Sequence, residues 1–158
     1  MKSALNITTL RPGGMGDIPT VAAIMAEAFD PRFGEAWTAA QCTGMFSLPG
    51  VWLTLAERND IVAGFALSRA SADEAELLLL ATRPKLRGKG IGGTLLRSVI
   101  AEAQSRGAIN LYLEMRVDNP AARLYSSQGF IKIGERPNYY RGNTGESFDA
   151  QTFGRSLT

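Results

Sequence analysis

The stretch LLLLATRPKLRGKGIGG, residues 77–93, decides the fold. Its four consecutive leucines form an unbroken apolar run, which is typical of a central strand covered on both faces. The glycine-rich turn RGKGIGG, residues 87–93, follows this strand and opens a helix whose apolar positions recur from Ile91 to Ile100. In this order, strand, turn and helix predict a site where backbone N–H groups and the helix dipole face one anion.

The composition of the turn suits a phosphate group. Gly88, Gly90 and Gly92 can adopt positive φ and let a ligand approach the backbone closely, while Arg87 and Lys89 add positive charge. A glycine-rich turn without a ligand is the alternative interpretation.

Two other phosphate motifs fit the turn less well. Its letters satisfy the dinucleotide fingerprint G-x-G-x-x-G, but that motif should begin where its strand ends, in the first strand–helix unit. Here Pro84, Lys85 and Leu86 intervene, and about half the chain precedes the turn. A Walker phosphate loop is excluded because Thr94 is preceded by Gly93 and not by lysine.

Strand and helix patterns fill the chain on both sides of this stretch. Asp17 is predicted to cap the first helix, and Asn119 or Asp118 the last. Alternation and turn residues predict strands at Leu5 to Thr9 and over residues 51–56, 61–68, 75–81, 109–114, 130–134 and 148–156. Helical spacing predicts helices over residues 18–28, 37–46, 91–106 and 120–127. The order predicts a mixed α/β sheet covered by helices.

Length and composition limit the class of protein. With 158 residues, 45% hydrophobic and 20% charged, the chain predicts one globular domain. No apolar stretch is long enough to cross a bilayer, and the amino-terminal residues lack the apolar run of a secretory signal. The net charge is only +2, and a basic cluster at Arg83, Lys85, Arg87 and Lys89 is the one local excess. We therefore expect a cytoplasmic protein with no membrane partner and no direct nucleic-acid partner; composition leaves its oligomeric state open.

The chain has no histidine and a single cysteine, Cys42. An internal disulfide is impossible, and a zinc site would lack its usual ligands, so metal catalysis is not expected. Acid–base chemistry must use Glu, Asp, Tyr or Lys. Cys42 is interpreted as a small buried hydrophobe in preference to a nucleophile, because no histidine can activate it.

Four stretches together resemble a known family. The run RGKGIG, residues 87–92, resembles the R/Q-x-x-G-x-G/A signature of the GNAT superfamily of N-acetyltransferases. LEMR at 113–116, LYSSQGF at 124–130 and RPNYY at 136–140 are similar to the bacterial ribosomal-protein-alanine N-acetyltransferases. The resemblance implies a mixed, mostly antiparallel sheet of about seven strands flanked by about four helices. It also implies direct transfer of an acetyl group from acetyl-CoA to a primary amine, with no covalent acyl-enzyme and with a protein amino terminus as the expected acceptor.

The resemblance also implies roles for particular residues. Glu114 matches the general base of the family, which takes a proton from the amine, and Tyr125 matches the general acid, which gives one to the departing thiolate. The end of the leucine-rich strand, residues 80–82, is expected to bind the pantetheine arm of acetyl-CoA. The glycine turn is expected to bind its pyrophosphate, and Asn119 is expected to contact it near the thioester. The expected cofactor-binding residues are Leu80, Ala81, Thr82, Arg87, Gly88, Lys89, Gly90, Ile91, Gly92, Gly93 and Asn119.

Several alternatives stay open at this level. The stretch from Glu114 to Tyr125 is one residue shorter than the family pattern, so Asp118 is an alternative to Asn119. Glu114 could instead be ion-paired, with Arg116 or Arg123 as partner, and Tyr125 could be a packed aromatic. Tyr139 and Tyr140 line the acceptor site or only pack in a strand, and Arg83 could serve the phosphates.

Other functions also fit the residues. The acceptor could be a lysine or a small-molecule amine, and residues 29–37 and 138–147 are the segments expected to decide this. A non-catalytic acyl-CoA-binding module and a nicotinamide-binding protein are the alternatives from other classes.

Overall fold

One sheet of seven strands forms the centre of the computed structural model, which describes residues 7–158. Neighbouring strands are antiparallel except the fourth and fifth, which are parallel. The strands are β1 (Thr9–Pro12), β2 (Val51–Arg58), β3 (Ile61–Ser71), β4 (Glu74–Thr82), β5 (Asn110–Arg116), β6 (Ile131–Arg141) and β7 (Ser147–Ser156), in the spatial order β1-β2-β3-β4-β5-β7-β6. The mixed, mostly antiparallel sheet that the sequence predicted is confirmed.

Helices cover both faces of this sheet. They are α1 (Ile18–Ala28), α2 (Ala39–Phe46), α3 (Ile91–Ser105) and α4 (Ala122–Ser127). One core cluster includes Leu95, Leu96 and Val99 of α3, and the other, on the opposite face, includes Val21 and Ile24 of α1. None of the helices within residues 7–158 has the length and apolar character needed to span a membrane.

Cys42 lies within the second cluster and is completely buried. Burial raises the pKa of its thiol, which disfavours the reactive thiolate. Both observations agree with its interpretation as a small buried hydrophobe.

Three local features differ from the sequence-based expectations. The Asp17 carboxylate does not cap α1; it accepts a hydrogen bond from the Gly14 amide (2.8 Å) and pairs with Arg11. Helix α2 begins at Ala39 because the Thr38 hydroxyl accepts from the Gln41 amide (3.1 Å), which marks a capping box. Strand β1 begins at Thr9, the residue where the pattern predicted that it would end, and Leu5 lies outside the described residues.

Strand β6 is longer than predicted. It continues to Arg141 through Pro137, a residue that cannot donate to a sheet ladder. The strand tolerates Pro137 because it lies at the edge of the sheet and its pairing with β7 shifts register between Arg136 and Tyr140. The extension brings Tyr139 and Tyr140 into the last part of the strand.

An extra residue in β4, Leu78, interrupts the centre of the sheet. Leu79 pairs with Leu67 of β3 while Leu77 pairs with Ser68, so Leu78 has no partner of its own. Such a bulge bends the strand, and β4 pairs with β5 only over its first four residues, ending at Leu77. Beyond this point β4 and β5 separate. The bulge also explains the unbroken leucine run, because Leu77 packs on the α3 face and Leu79 on the opposite face.

Candidate active site

A cleft of about 690 Å³ lies where β4 and β5 separate. Its walls are the end of β4, the start of α3, the end of β5, part of α4, the loop between α1 and α2, and Tyr139 and Tyr140 of β6. The cleft therefore opens beyond the bulge. It is lined by the glycine turn on one side and by Glu114 on the other.

The start of α3 forms an anion cradle, which we define as residues 88–93. Gly88 and Gly90 both have φ of 79°, a conformation that favours glycine. Gly90 is the N-cap and has no side chain to accept the first amides of the helix, so those of Ile91, Gly92 and Gly93 remain available. No atom lies within 4 Å of where a Cβ would stand at Gly88 or Gly90. An anion can thus reach these amides at the positive end of the helix dipole.

Some residues of the turn differ from their predicted roles. Gly92 lies in the first turn of α3 without positive φ, and a Cβ there would come 3.2 Å from Leu124 of α4, so this glycine permits close helix packing. Lys89 does not line the cleft, whereas Arg87 does and also donates to the Ala28 carbonyl (3.1 Å). Arg83 is ion-paired with Glu27 and donates to the Val62 carbonyl (2.7 Å), so it does not serve the cradle.

The end of β4 has a free edge that faces the cleft. The Arg83 amide donates to the Ala63 carbonyl and the Ala81 carbonyl lies beside Gly64, so both groups point towards β3. Because hydrogen-bonding directions alternate along a strand, the backbone groups of Leu80 and Thr82 point the other way. Leu80 and Thr82 therefore present backbone groups to the cleft, and their binding of a ligand stays a prediction, whereas Ala81 contributes only to the wall.

Glu114 lies on β5 at the opposite wall of the cleft, with only 12% of its side chain exposed. Its Oε2 atom is 2.6 Å from Nε of Arg136 and accepts a hydrogen bond from the Thr152 hydroxyl (2.8 Å). Glu114 is thus ion-paired, but its partner is Arg136 and not Arg116 or Arg123, the two candidates that the sequence had suggested. Two partners thus fix the carboxylate at the wall of the cleft, and the side chain of Arg136 is 61% exposed.

Tyr125 lies on α4 and also lines the cleft, although only 7% of its surface is exposed. Its ring packs edge-on against Phe130, with the ring centroids 5.9 Å apart. Burial, and then the negative charge of Glu35, raise the pKa of the Tyr125 phenol. The hydroxyl therefore keeps its proton at neutral pH, as a general acid must.

A network that the sequence did not reveal lies beside these two residues. Glu35, in the loop between α1 and α2, accepts from Asn119 Nδ2 (3.0 Å) and pairs with Arg116 Nε (3.3 Å). The Arg116 guanidinium lies 3.7 Å from the centre of the Phe33 ring. Loop residues from 29–37 were expected to shape the acceptor site, but no local pattern identified Glu35 as their buried anchor.

Asn119, and not Asp118, lines the cleft. Its Oδ1 atom accepts from the Ala121 amide (2.8 Å) and its amide group contacts Glu35, so both ends of the side chain have partners in the protein. Asp118 has φ of 69° and takes the turn before α4.

The two adjacent tyrosines of β6 complete the cleft. The Tyr140 hydroxyl donates to the Glu114 carbonyl (3.3 Å), and its ring lies 5.0 Å from that of Tyr139 in an edge-on arrangement. Burial, and then the Glu114 carboxylate, raise the pKa of Tyr139; burial, and then Glu35, raise that of Tyr140. Both residues line the cleft, and their contact with the acceptor stays a prediction.

Comparison with known proteins identifies the family. Residues 18–130 match the model of the acetyltransferase (GNAT) family. The [ribosomal protein bS18]-alanine N-acetyltransferase of Salmonella typhimurium is 41% identical over 83 residues, 52% of this chain and 56% of that relative. The Escherichia coli enzyme of the same name is 40% identical over 84 residues, 52% of this chain and 57% of its own. The chain thus spans little more than half the length of these curated relatives.

Solved structures agree with this assignment. The crystal structure of the ribosomal-protein-S18-alanine N-acetyltransferase from Escherichia coli aligns with a TM-score of 0.84 and 28% identity, over 96% of this chain and 95% of that one. The fold is also shared with yncA from Salmonella typhimurium, solved with acetyl-CoA, at a TM-score of 0.75 and 22% identity over 96% and 94% of the two chains. The glycine turn, the seven-stranded sheet and these matches agree, and the chain belongs to the GNAT acetyltransferase family.

Proposed function

We propose that the protein transfers the acetyl group of acetyl-CoA to a primary amine, and that this amine is the amino terminus of a ribosomal-type protein that begins with alanine. One observation carries the proposal: a single cleft joins the anion cradle, the free edge of β4 and the Glu114 carboxylate. The names of the relatives support the choice of acceptor. A lysine or a small-molecule amine is the alternative acceptor.

The residues of the cleft fit acetyl-CoA. The amides of Ile91, Gly92 and Gly93 lie at the start of α3, where no side chain caps them. They can bind the pyrophosphate, because negatively charged groups are favoured at helix N-termini. The backbone groups of Leu80 and Thr82 can pair with the amides of the pantetheine arm, as an added strand pairs with a sheet edge. Acetyl-CoA supplies an acetyl group activated as a thioester.

The side chains at the other end of the cleft can move the protons that the reaction requires. An α-amino group has a pKa of about 7.7–8.0, so much of the acceptor is protonated near neutral pH. Glu114 takes a proton from the ammonium directly or through water, which frees the nitrogen lone pair to form the new C–N bond. The C–S bond breaks, its electron pair leaves with the sulfur, and the sulfur receives a proton from Tyr125. The nitrogen loses its second proton, which water carries to the Tyr125 oxygen and so restores the phenol.

A release assay tests the proposal. The purified protein, acetyl-CoA and a peptide that begins with alanine should release free CoA, measured with a thiol reagent. The matched control is the same peptide with its amino terminus blocked and one internal lysine retained, which should give only the background rate. Equal release with both peptides would contradict an amino-terminal acceptor, and binding of acetyl-CoA without release by any amine would contradict transfer itself.

Tyr125→Phe tests the general acid. We expect it to lower kcat by roughly 10–100-fold, a moderate loss because a thiol with a pKa of about 8.5 leaves without much assistance. The packing against Phe130 does not involve the hydroxyl, so the fold and the affinity for acetyl-CoA should be retained. Calorimetry with acetyl-CoA provides the control; a variant with unchanged kcat would remove Tyr125 from the mechanism.

A further inference from the structure

Glu35 is a buried carboxylate that lines the cleft beside the end of β5. It belongs to residues 29–37 of the loop between α1 and α2, which we call the acceptor loop. Only 9% of its side chain is exposed. Its Oε1 atom lies 3.3 Å from Nε of Arg116, and its Oε2 atom accepts a hydrogen bond from Nδ2 of Asn119 (3.0 Å). Both oxygens are thus bound within the protein, and they join the loop to the end of β5 and to the turn before α4.

One guanidinium group holds two residues of the acceptor loop. Arg116 pairs with Glu35 and lies 3.7 Å from the centre of the Phe33 ring. Only 12% of the Arg116 side chain is exposed, so the loss of either charge would leave the other buried and unpaired. The Phe33 ring also packs edge-on against Phe148 of β7, with the ring centroids 5.1 Å apart. The loop is therefore fastened to two neighbouring strands, β5 and β7.

The charge of Glu35 reaches two tyrosines of the cleft. Burial, and then Glu35, raise the pKa of both Tyr125 and Tyr140. Such an effect requires a short separation, because the interaction between charges falls with distance. One of these phenols is the predicted general acid, and the other donates a hydrogen bond to the Glu114 carbonyl. Glu35 thus lies beside the groups of the proposed reaction, while its own oxygens are engaged by Arg116 and Asn119.

We propose that Glu35 is a positioning residue, which fixes the acceptor loop against the cleft through Arg116 and Asn119 and thereby sets the affinity for the acceptor amine. The proposal rests on the proposed acetyl transfer. Glu35 moves no proton and makes no bond in the reaction. Its role is to hold the side chains by which the acceptor loop lines the cleft, which are those of Phe29, Asp30, Phe33 and Trp37.

A fixed loop favours binding because the cost of ordering it is met when the protein folds. A loop that becomes ordered only when a substrate arrives lowers the affinity for that substrate. The anchors of Glu35 are side chains from β5 and from the turn before α4, which come from distant parts of the sequence. The anion cradle and the free edge of β4 belong to other elements. Loosening of the acceptor loop should therefore affect the amine much more than acetyl-CoA.

Glu35→Gln tests this role through the separate kinetic constants of the two substrates. Glutamine keeps the shape and can still accept from Asn119, but it leaves the Arg116 charge unpaired. We expect KM for an alanine-initiated peptide to rise roughly 10–100-fold, with a much smaller change in kcat. Calorimetry should show an affinity for acetyl-CoA close to that of wild type. A similar loss for both substrates would indicate general damage to the fold and would overturn the proposal.

Glu27→Gln is the matched control. Glu27 lies near the end of α1, and its ion pair with Arg83 also joins this part of the chain to the sheet, but neither residue lines the cleft. Both constants should stay close to wild type, because exposed pairs contribute little.

The double variant Glu35→Gln/Arg116→Gln tests whether the two residues act together. It leaves no unpaired charge, so it should fold even where a single variant is unstable. Because the partners belong to one contact, the double variant should raise KM for the amine no more than the more severe single variant does. Single effects that multiply in the double variant would show that Glu35 does not act through Arg116, and would overturn the proposal.

Limited digestion with trypsin measures the order of the acceptor loop without turnover. Arg32 is an exposed residue of this loop, and cleavage after it should be faster in Glu35→Gln than in wild type or in Glu27→Gln. An unchanged KM for the amine, or unchanged cleavage after Arg32, would overturn the role of Glu35 while wild-type transfer continues. A wild-type protein that releases no CoA with any amine would instead overturn the proposed function, and the role of Glu35 in acceptor binding with it.

Discussion

Glu114→Gln is expected to lower kcat by roughly 10²–10⁴-fold and to leave the affinity for acetyl-CoA nearly unchanged. Glutamine has the same shape and can still accept from the Thr152 hydroxyl, but it cannot take a proton or pair with Arg136. The variant therefore loses the proton acceptor that the proposed transfer requires. The rate of CoA release at saturating substrates measures the effect, and calorimetry measures the affinity.

Glu135→Gln is the control for this change. Glu135 lies on the edge strand β6, and its partner is Lys132 at the surface, 3.0 Å away. Removal of this charge should leave kcat close to wild type, since exposed pairs contribute little. At about pH 9.5 part of the loss in Glu114→Gln should disappear, because an amino terminus is then already deprotonated. Unchanged turnover in Glu114→Gln would show that the active site has been assigned to the wrong carboxylate.

Gly90→Val is expected to weaken binding of acetyl-CoA by about 100-fold or more, since two lost hydrogen bonds to a charged group are worth about 1.5–3 kcal/mol each. Gly90 has φ of 79°, and a side chain in this region costs roughly 1–2 kcal/mol. The chain can relieve that strain only by turning the next peptide, which moves the amides of Ile91 and Gly92. The new side chain would also occupy the open space by which the pyrophosphate approaches.

Gly107→Val matches this variant in strain but not in position. Gly107 has φ of 90°, is free of neighbours within 4 Å of a Cβ, and follows the other end of the same helix. Both variants should therefore lose similar stability in thermal unfolding, while calorimetry should show weakened acetyl-CoA binding only for Gly90→Val. Equal binding by the two variants would exclude the turn as the cradle.

Local signals in the sequence predicted much of the fold. The glycine turn, the apolar spacing of α3 and the alternation of the strands are short-range features, and most elements formed close to their expected places. The boundaries failed where a side-chain partner decided them, as at Thr38 for α2, or where edge position decided them, as at Pro137 in β6. Such decisions depend on neighbours that the local sequence does not identify.

The candidate site was less predictable than the fold. Glu114 and Tyr125 were named by resemblance, but the partner of Glu114 is Arg136, which is brought close only by the register of β5, β7 and β6. Glu35 and Arg116 are 81 positions apart, and their pairing depends on how one loop folds over β5. Long-range register, and not residue type, gives these side chains their chemistry.

The bulge at Leu78 has a further consequence, which concerns aggregation. A free strand edge normally lies at the rim of a sheet, where it can pair with the strands of other molecules. In this protein the surplus residue creates a free edge in the middle of the sheet, with β5 as the opposite wall. A strand from another protein would have to fit into the gap between β4 and β5 in order to pair with this edge, whereas a single slender extended molecule can enter the gap. The chain thus keeps unpaired backbone for a ligand without offering it to a second protein.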